Sequence, residues 1–110
     1  MIKGHNVRIK LRKHFREQRP MSYVGKVTSF SEEWVVLEAR GIMLSRQQPN
    51  GVQIDAKASA MMIPRDNIES IRILPSNYDL GKIEVSTEGQ QLVLVIEGAP
   101  NAFLGELGEG

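Results

Sequence analysis

Basic side chains are concentrated at the start of the sequence. Residues 1–20, here called the basic arm, carry seven lysines and arginines against the single acid Glu17, a net charge of +6. On an extended strand, alternate positions share one face, so cations at positions 8, 10 and 12 would project together. Such a row suits contact with phosphate oxygens and predicts a nucleic-acid-binding stripe. The residues of this hypothesis are Arg8, Lys10, Arg12, Lys13, Arg16 and Arg19.

Two other interpretations of the basic arm remain open. Alternating lysine and arginine also solvates an exposed strand face and discourages unwanted edge pairing. Residues 21–75 carry no net charge and residues 76–110 carry −5. This acidic segment could therefore fold back on the basic arm, or reach across to a neighbouring subunit, and neutralise it.

Little in the sequence supports catalysis or metal binding. The chain has no cysteine and two histidines, which excludes thiolate catalysis and cysteine-ligated zinc. His5 and His14 have no serine or carboxylate partner at a catalytic spacing, so we expect them at the surface. No phosphate-binding glycine motif precedes a helix pattern. We expect a protein that is not an enzyme, with no cofactor, metal or small-molecule substrate.

Length and composition predict one small globular unit. The 110 residues are 41% hydrophobic and 25% charged, near the average for soluble domains. No apolar run approaches the roughly 20 residues that cross a bilayer, and the first residues lack the apolar stretch of a signal peptide. The expectation is a cytoplasmic protein without a membrane partner.

Alternating apolar residues predict the strands that would hold the basic side chains. Val7, Ile9, Leu11 and Phe15 share one parity, which indicates a half-buried strand over residues 7–15. A helix would also align three of these residues, but it would place Ile9 on its far side, so the strand is favoured.

Four further strands are predicted before residue 75. They cover residues 21–30 around Gly25, where a bend or a close backbone approach is expected, then 34–44, 56–63 and 68–74. A turn tip occupies residues 45–55, and residues 65–67 form a tight turn. Five short strands without room for crossover helices predict a small, strongly bent, five-stranded antiparallel barrel in a domain of residues 1–75.

Residues 76–110 are predicted to form a C-terminal extension. Alternation at Ile83 and Val85, a turn at Glu88 and Gly89, and an apolar run over 92–96 indicate an added hairpin at about 80–97. The glycine-rich remainder predicts a flexible acidic tail, with at most one short helical turn near Phe103.

Two sequence blocks resemble those of the Sm-like family, including its bacterial Hfq branch. They are GKVTSFSEEWVVLEA and MMIPRDNIESIRIL, and the resemblance spans about residues 7–74. It implies a small β-barrel, RNA binding, and a homo-oligomeric ring in which the fourth strand of one subunit pairs with the fifth of the next. The added hairpin could cover an edge that such a ring needs. The matching residues are Gly25, Val27, Phe30, Val36 and Leu37 in the first block and Ile63, Asp66, Ile68 and Ile71 in the second.

The chain departs from the family at its ligand-contacting positions. Ser31, Glu33 and Val35 stand where the family usually has aspartate, an aromatic or histidine, and asparagine, and Pro64-Arg65 replaces Arg-Gly. The usual uridine pocket is therefore not expected. Trp34 heads an apolar run and is expected in the core, although it could instead serve as a stacking platform for a base. The candidate RNA contacts accordingly also include Trp34, Arg65 and Asp66.

Two functional hypotheses follow from the sequence. The first is a non-catalytic Sm-like module that binds RNA through its basic first hairpin. The alternative is a protein-interaction scaffold that forms homo-oligomers without nucleic acid.

Overall fold

The computed structural model of this chain describes residues 2–109 and consists of two antiparallel β-sheets. The described residues contain no α-helix, which confirms the mostly-β prediction. The first sheet holds β1 (Asn6–Leu11), β2 (Met21–Phe30), β3 (Trp34–Leu44), β4 (Val52–Ile54), β5 (Ser59–Pro64) and β6 (Ile68–Ile73). The second sheet holds β7 (Val85–Glu88), β8 (Gln91–Leu94) and β9 (Ala102–Glu106).

The first sheet has the order β6-β1-β2-β3, and both β5 and β4 pair with the remaining edge of β3. β5 lies beside residues 34–39 of β3 and β4 beside residues 42–44. A single 3-10 turn, Arg65–Asn67, joins β5 to β6, as predicted. Within residues 2–109, β5 and β6 pair with one neighbour each, so the sheet is not closed into the predicted barrel.

Gly25 permits the close contact between β2 and β3. It lies opposite Ala39, and a Cβ atom at Gly25 would overlap the carbonyl oxygen of Glu38 and come within 2.6 Å of the Ala39 Cα. Only a residue without a side chain fits there. This confirms the close backbone approach expected from a glycine inside a strand.

Buried apolar side chains form two clusters, because β3 is covered on both faces. One cluster lies within the first sheet and includes Val7, Ile9, Val27, Val35, Leu37, Ala39 and Ile63. The other joins the two sheets and includes Val24, Ile42, Leu44, Leu74, Leu92, Leu94, Ile96, Ala102 and Leu104. The C-terminal residues therefore help to bury the first sheet.

β1 is shorter than the predicted strand over residues 7–15. It ends at Leu11, where its register with β6 shifts, and the next backbone N–H, of Arg12, donates to the Asn67 carbonyl. Residues 12–20 then run as an irregular connection, and Phe15 is exposed instead of lying on the apolar face.

The predicted flexible tail is wrong, because residues 102–106 form the strand β9. β9 pairs with β8, and the side chains of Ala102 and Leu104 are fully buried. Their alternation with Phe103 is the period-two pattern of a strand with one buried face. The predicted hairpin at about 80–97 thus supplies two strands of a three-stranded sheet.

Candidate nucleic-acid interface

Two cations of the predicted stripe are buried. The side chains of Arg8 and Lys10 alternate along β1 as expected, but Arg8 is 6% exposed and Lys10 is 4% exposed. The Lys10 Nζ lies 3.3 Å from a carboxylate oxygen of Glu69 and 5.6 Å from the ring centre of Phe103 in β9. The second sheet covers this face, so the prediction that Arg8 and Lys10 face phosphate is wrong.

Arginine side chains link β1 and β6 to the second sheet instead. Arg8 lies opposite Arg72, and its Nη1 donates to the Ser70 Oγ over 2.9 Å. Arg72 donates to the carbonyl oxygens of Pro100, at 2.6 Å, and Asn101, at 3.4 Å. Burial, and next the charge of Arg72, lower the pKa of the Arg8 guanidinium, while Glu69 acts in the opposite direction. These contacts serve the packing of the two sheets.

The exposed Arg12 lies against the turn that joins β5 to β6. Its Nε donates to the Ile68 carbonyl over 3.2 Å, and a ring nitrogen of His14 is hydrogen-bonded to the side chain of Asn67. These contacts hold the start of the irregular connection beside residues 65–67. Arg12 therefore lies beside the two residues that directly follow Arg65 and Asp66 in the chain.

Trp34 is not a core residue. It is 39% exposed, because it is the first residue of β3 and lies opposite Pro64, the last residue of β5; burial begins at Val35. The backbone N–H of Trp34 donates to the Ser31 Oγ over 3.2 Å, and this hydrogen bond stabilises the tight turn before β3. Its indole is therefore available at the end of the sheet.

Arg65 joins Trp34 at the same end of the sheet. Its guanidinium lies 4.7 Å from the ring centre of Phe30, and it donates to the Ser31 carbonyl over 3.0 Å. A guanidinium stacked on a ring is oriented while most of its donors stay free. The exposed Asp66 follows it. We call this set of residues the aromatic rim: Arg12, Phe30, Trp34, Arg65 and Asp66.

A second group of cations lines a cleft of about 450 Å³, and the first of them, Lys13, directly follows Arg12 in the basic arm. Lys13 and Arg16 contribute from the irregular connection, and Arg46 contributes from the turn between β3 and β4. We call this the basic cleft, and its lining residues are Lys13, Arg16, Glu17, Arg46, Gly108 and Glu109.

Arg46 is the residue of this site that the sequence did not indicate. A lone arginine beside a Pro-Asn-Gly turn carries no pattern. The pairing of β2 with β3, which sets Met21 opposite Met43, and the Leu44 N–H that donates to the Pro20 carbonyl bring that turn to the end of the basic arm. Arg19, by contrast, is exposed but lies outside the lining of the basic cleft. The predicted cations are thus divided between a buried pair, the aromatic rim and the basic cleft, and Arg19 lies outside all three.

An acidic side chain from the C-terminal segment enters the basic cleft. The Lys13 Nζ donates to a carboxylate oxygen of Glu109 over 2.8 Å. This hydrogen bond is the largest cause of a Glu109 pKa below its ordinary value of 4.5, and the Glu106 backbone N–H acts in the same direction. The acidic segment therefore folds back on the basic arm of the same chain, as one of the open interpretations supposed.

A different cleft, of about 620 Å³, has the opposite charge. It is lined mainly by the segment between β6 and β7, including Tyr78, Asp79 and Glu84, and by Glu97. Burial, followed by the charges of Asp79 and Glu84, raises the pKa of Tyr78 to about 12. Its carboxylates would repel phosphate, so this cleft is not part of the candidate interface.

Residues 2–109 contain no cluster of three or more histidine, aspartate or glutamate side chains arranged to hold a metal ion. In the same range, no helix has the length and apolarity to cross a membrane. Comparison with protein-family models, curated proteins and solved structures finds no match to this chain.

Proposed function

We propose that this chain is a non-catalytic Sm-like module that binds single-stranded RNA along the aromatic rim and the basic cleft. The observation that carries the proposal is the exposed indole of Trp34, at the same end of the first sheet as the guanidinium of Arg65 stacked on Phe30. Unpaired bases stack on exposed aromatic rings, and each such contact contributes about 1–3 kcal/mol to binding. Nearby arginines supply the phosphate contacts.

The arrangement of the strands supports the Sm-like part of the proposal. The two sequence blocks that resemble the family fall on β2–β3 and on β5–β6. Trp34 follows the turn of the first block, one residue after Glu33, where the family usually has an aromatic or histidine. Arg65 lies in the turn of the second block, where Pro64-Arg65 replaces the usual Arg-Gly. The proposed RNA contact therefore uses the family's scaffold with a different set of side chains.

The exposed cations proposed to contact RNA differ from those of the nucleic-acid-binding stripe predicted from the sequence. Arg8 and Lys10 are removed by burial, whereas Arg12, Arg16 and Arg19 are exposed. The structure adds Arg46 to this group. Lys13 and Arg12 are consecutive residues, so the basic cleft and the aromatic rim adjoin along the chain. One bound strand could contact both.

Fluorescence anisotropy with labelled poly(U), poly(A) and mixed-sequence RNA tests this proposal. We expect micromolar binding that weakens as salt concentration rises. The double variant Arg16→Gln/Arg46→Gln should reduce the dependence of log K on log salt by about 1.4, because each lost phosphate contact on single strands removes about 0.7. Lys82→Gln, in the acidic cleft, is the control. Absence of salt-sensitive binding by the unaltered protein would contradict the proposal.

Self-association is a second candidate function, and open strand edges favour it. β5 and β6 each have one neighbour in the sheet, and the exposed side chains Met62 and Ile73 lie on these two strands. An unpaired edge accepts a strand from another molecule. Pairing β5 of one copy with β6 of the next would be head-to-tail, which gives a ring where the rotation closes.

In the part of the chain that the structure describes, the second sheet adds no strand to either of these edges. Its strands pair only among themselves within residues 2–109 and add to neither β5 nor β6. Light scattering with and without RNA tests this candidate. A mass of several subunits in the absence of RNA is expected, and a strictly monomeric mass at high protein concentration would contradict it.

A further inference from the structure

Glu109 is held in the basic cleft by contacts at both carboxylate oxygens. Oε2 accepts from the Lys13 Nζ over 2.8 Å, and Oε1 accepts from the Glu106 backbone N–H over 2.7 Å. The turn that carries Glu109 is itself attached to the second sheet, because the Leu107 N–H donates to the Gln90 carbonyl over 2.7 Å. The position of this carboxylate is therefore set by the fold of β9.

The basic cleft has an excess of cations that Glu109 partly cancels. Lys13, Arg16 and Arg46 line it together with Glu17 and Glu109. Without the Glu109 charge, three cations would face one acid. A carboxylate and a phosphodiester are both oxyanions that accept charge-assisted hydrogen bonds from ammonium and guanidinium groups. A phosphodiester that entered the cleft would therefore meet a donor that Glu109 already occupies, the Lys13 Nζ.

We infer that Glu109 is a built-in competitor for an RNA phosphate in the basic cleft. This inference rests on the proposed RNA-binding function. Binding of RNA at Lys13 would require the Glu109 carboxylate to leave that ammonium group. The acidic end of the chain would in this way limit affinity for phosphate without covering the aromatic rim.

The partial exposure of the ion pair limits the size of the effect. The side chains of Lys13 and Glu109 are 26% and 27% exposed, so solvent screens their attraction. An ion pair of this kind holds the Glu109 carboxylate weakly. Removal of the Glu109 charge should therefore raise RNA affinity about two- to fivefold. The freed Lys13 should also make binding more dependent on salt, by about 0.7 in the slope of log K against log salt.

Anisotropy titrations of Glu109→Gln with single-stranded RNA test the inference. Glu106→Gln is the matched control, because it removes the same charge from an exposed residue of β9 that does not line the cleft. We expect the two- to fivefold gain for Glu109→Gln and a change below about 1.5-fold for Glu106→Gln. In a Lys13→Met background, Glu109→Gln should no longer raise affinity, because the contested ammonium group is absent.

The possible results separate this inference from the proposed function. If the unaltered protein binds RNA and Glu109→Gln gains no more than Glu106→Gln, the competition is refuted and the RNA-binding proposal stands. A gain that persists in the Lys13→Met background also refutes competition at Lys13. If none of the proteins binds RNA, both proposals fail.

Discussion

The burial of Arg8 and Lys10 shows that alternation along one strand predicts which face a side chain lies on but not whether that face is exposed. Alternation placed the two side chains on the face opposite Val7 and Ile9, and the structure agrees. It did not show what lies on that face, because the covering residues come from β9 and from the segment before it, far away in the sequence. Trp34 was expected in the core because it heads an apolar run, and this expectation failed for a related reason. The first residue of such a run is exposed where the strand begins at the end of the sheet, as β3 does at Trp34.

The ion pair between Lys13 and Glu109 gives a pH-dependent prediction. The pKa of Glu109 is lowered in the folded protein from its ordinary 4.5. The ionised carboxylate therefore favours folding above about pH 4.5, and this contribution is lost as pH falls through the lowered folded-state value. Glu109→Gln should lower the free energy of unfolding by less than about 1 kcal/mol near neutral pH.

Urea unfolding at several pH values measures this contribution. The difference between the unaltered protein and Glu109→Gln should shrink towards zero as the solution is acidified below the folded-state pKa of the carboxyl. A difference that stays constant across the acid range would show that the carboxylate does not stabilise the fold through its charge.

At the scale of elements, the sequence determined the strands whose signals are local. β2 and β3 have the predicted bounds. The turn Arg65–Asn67 also has its predicted position, which was indicated by Pro64 and the polar residues after it. β9 was missed because its glycine-rich surroundings resemble a flexible tail, and its stability comes from pairing with β8 and from burial against the first sheet. Partners of that kind are tertiary and leave no local pattern.

Gly25→Ala should destabilise the protein because the added methyl group would meet the backbone of β3. The overlap involves the Glu38 carbonyl and the Ala39 Cα, which cannot rotate away. We expect a loss of about 1–3 kcal/mol in the free energy of unfolding, measured by urea denaturation. Gly81→Ala is the control, because its Cβ would meet only the Asp79 carboxylate, at 3.2 Å. Equal losses for both variants would be inconsistent with the close contact.

Leu104→Ala tests whether β9 is part of the core. The side chain is fully buried in the cluster that joins the two sheets, so truncation should cost about 2–5 kcal/mol. Leu107→Ala, at an exposed position after β9, should change stability by less than about 0.5 kcal/mol. Urea denaturation followed by fluorescence and circular dichroism supplies both values. A flexible C-terminal tail would instead make the two substitutions equally mild.

At the scale of the whole molecule, the two sheets share one of the two hydrophobic clusters, and within residues 2–109 the strands β5 and β6 each have one unpaired edge. The second sheet covers the inner cations and completes the hydrophobic cluster around Leu44 and Leu94. The aromatic rim, the basic cleft and the edges of β5 and β6 remain at the surface. The surface proposed for RNA and the strand edges proposed for self-association involve different residues, so both proposed activities could occur in one assembly.

Met62→Lys should weaken self-association without unfolding the chain. Met62 is 61% exposed on β5, and a lysine on an edge strand opposes pairing with another chain. Light scattering over a range of protein concentrations should show a lower mass for this variant than for Leu107→Lys, which places the same charge outside the two edges. Identical masses for both variants would count against assembly through β5.

The intrinsic fluorescence of Trp34 reports most directly on RNA binding at the aromatic rim, because Trp34 is the only tryptophan in the chain. Stacking of a base on its exposed indole should quench the emission as single-stranded RNA is added, and added salt should reverse the quenching. Duplex RNA of the same sequence should quench much less, because its bases are already paired and stacked. RNA that binds by anisotropy yet leaves the Trp34 emission unchanged would contradict stacking at this rim.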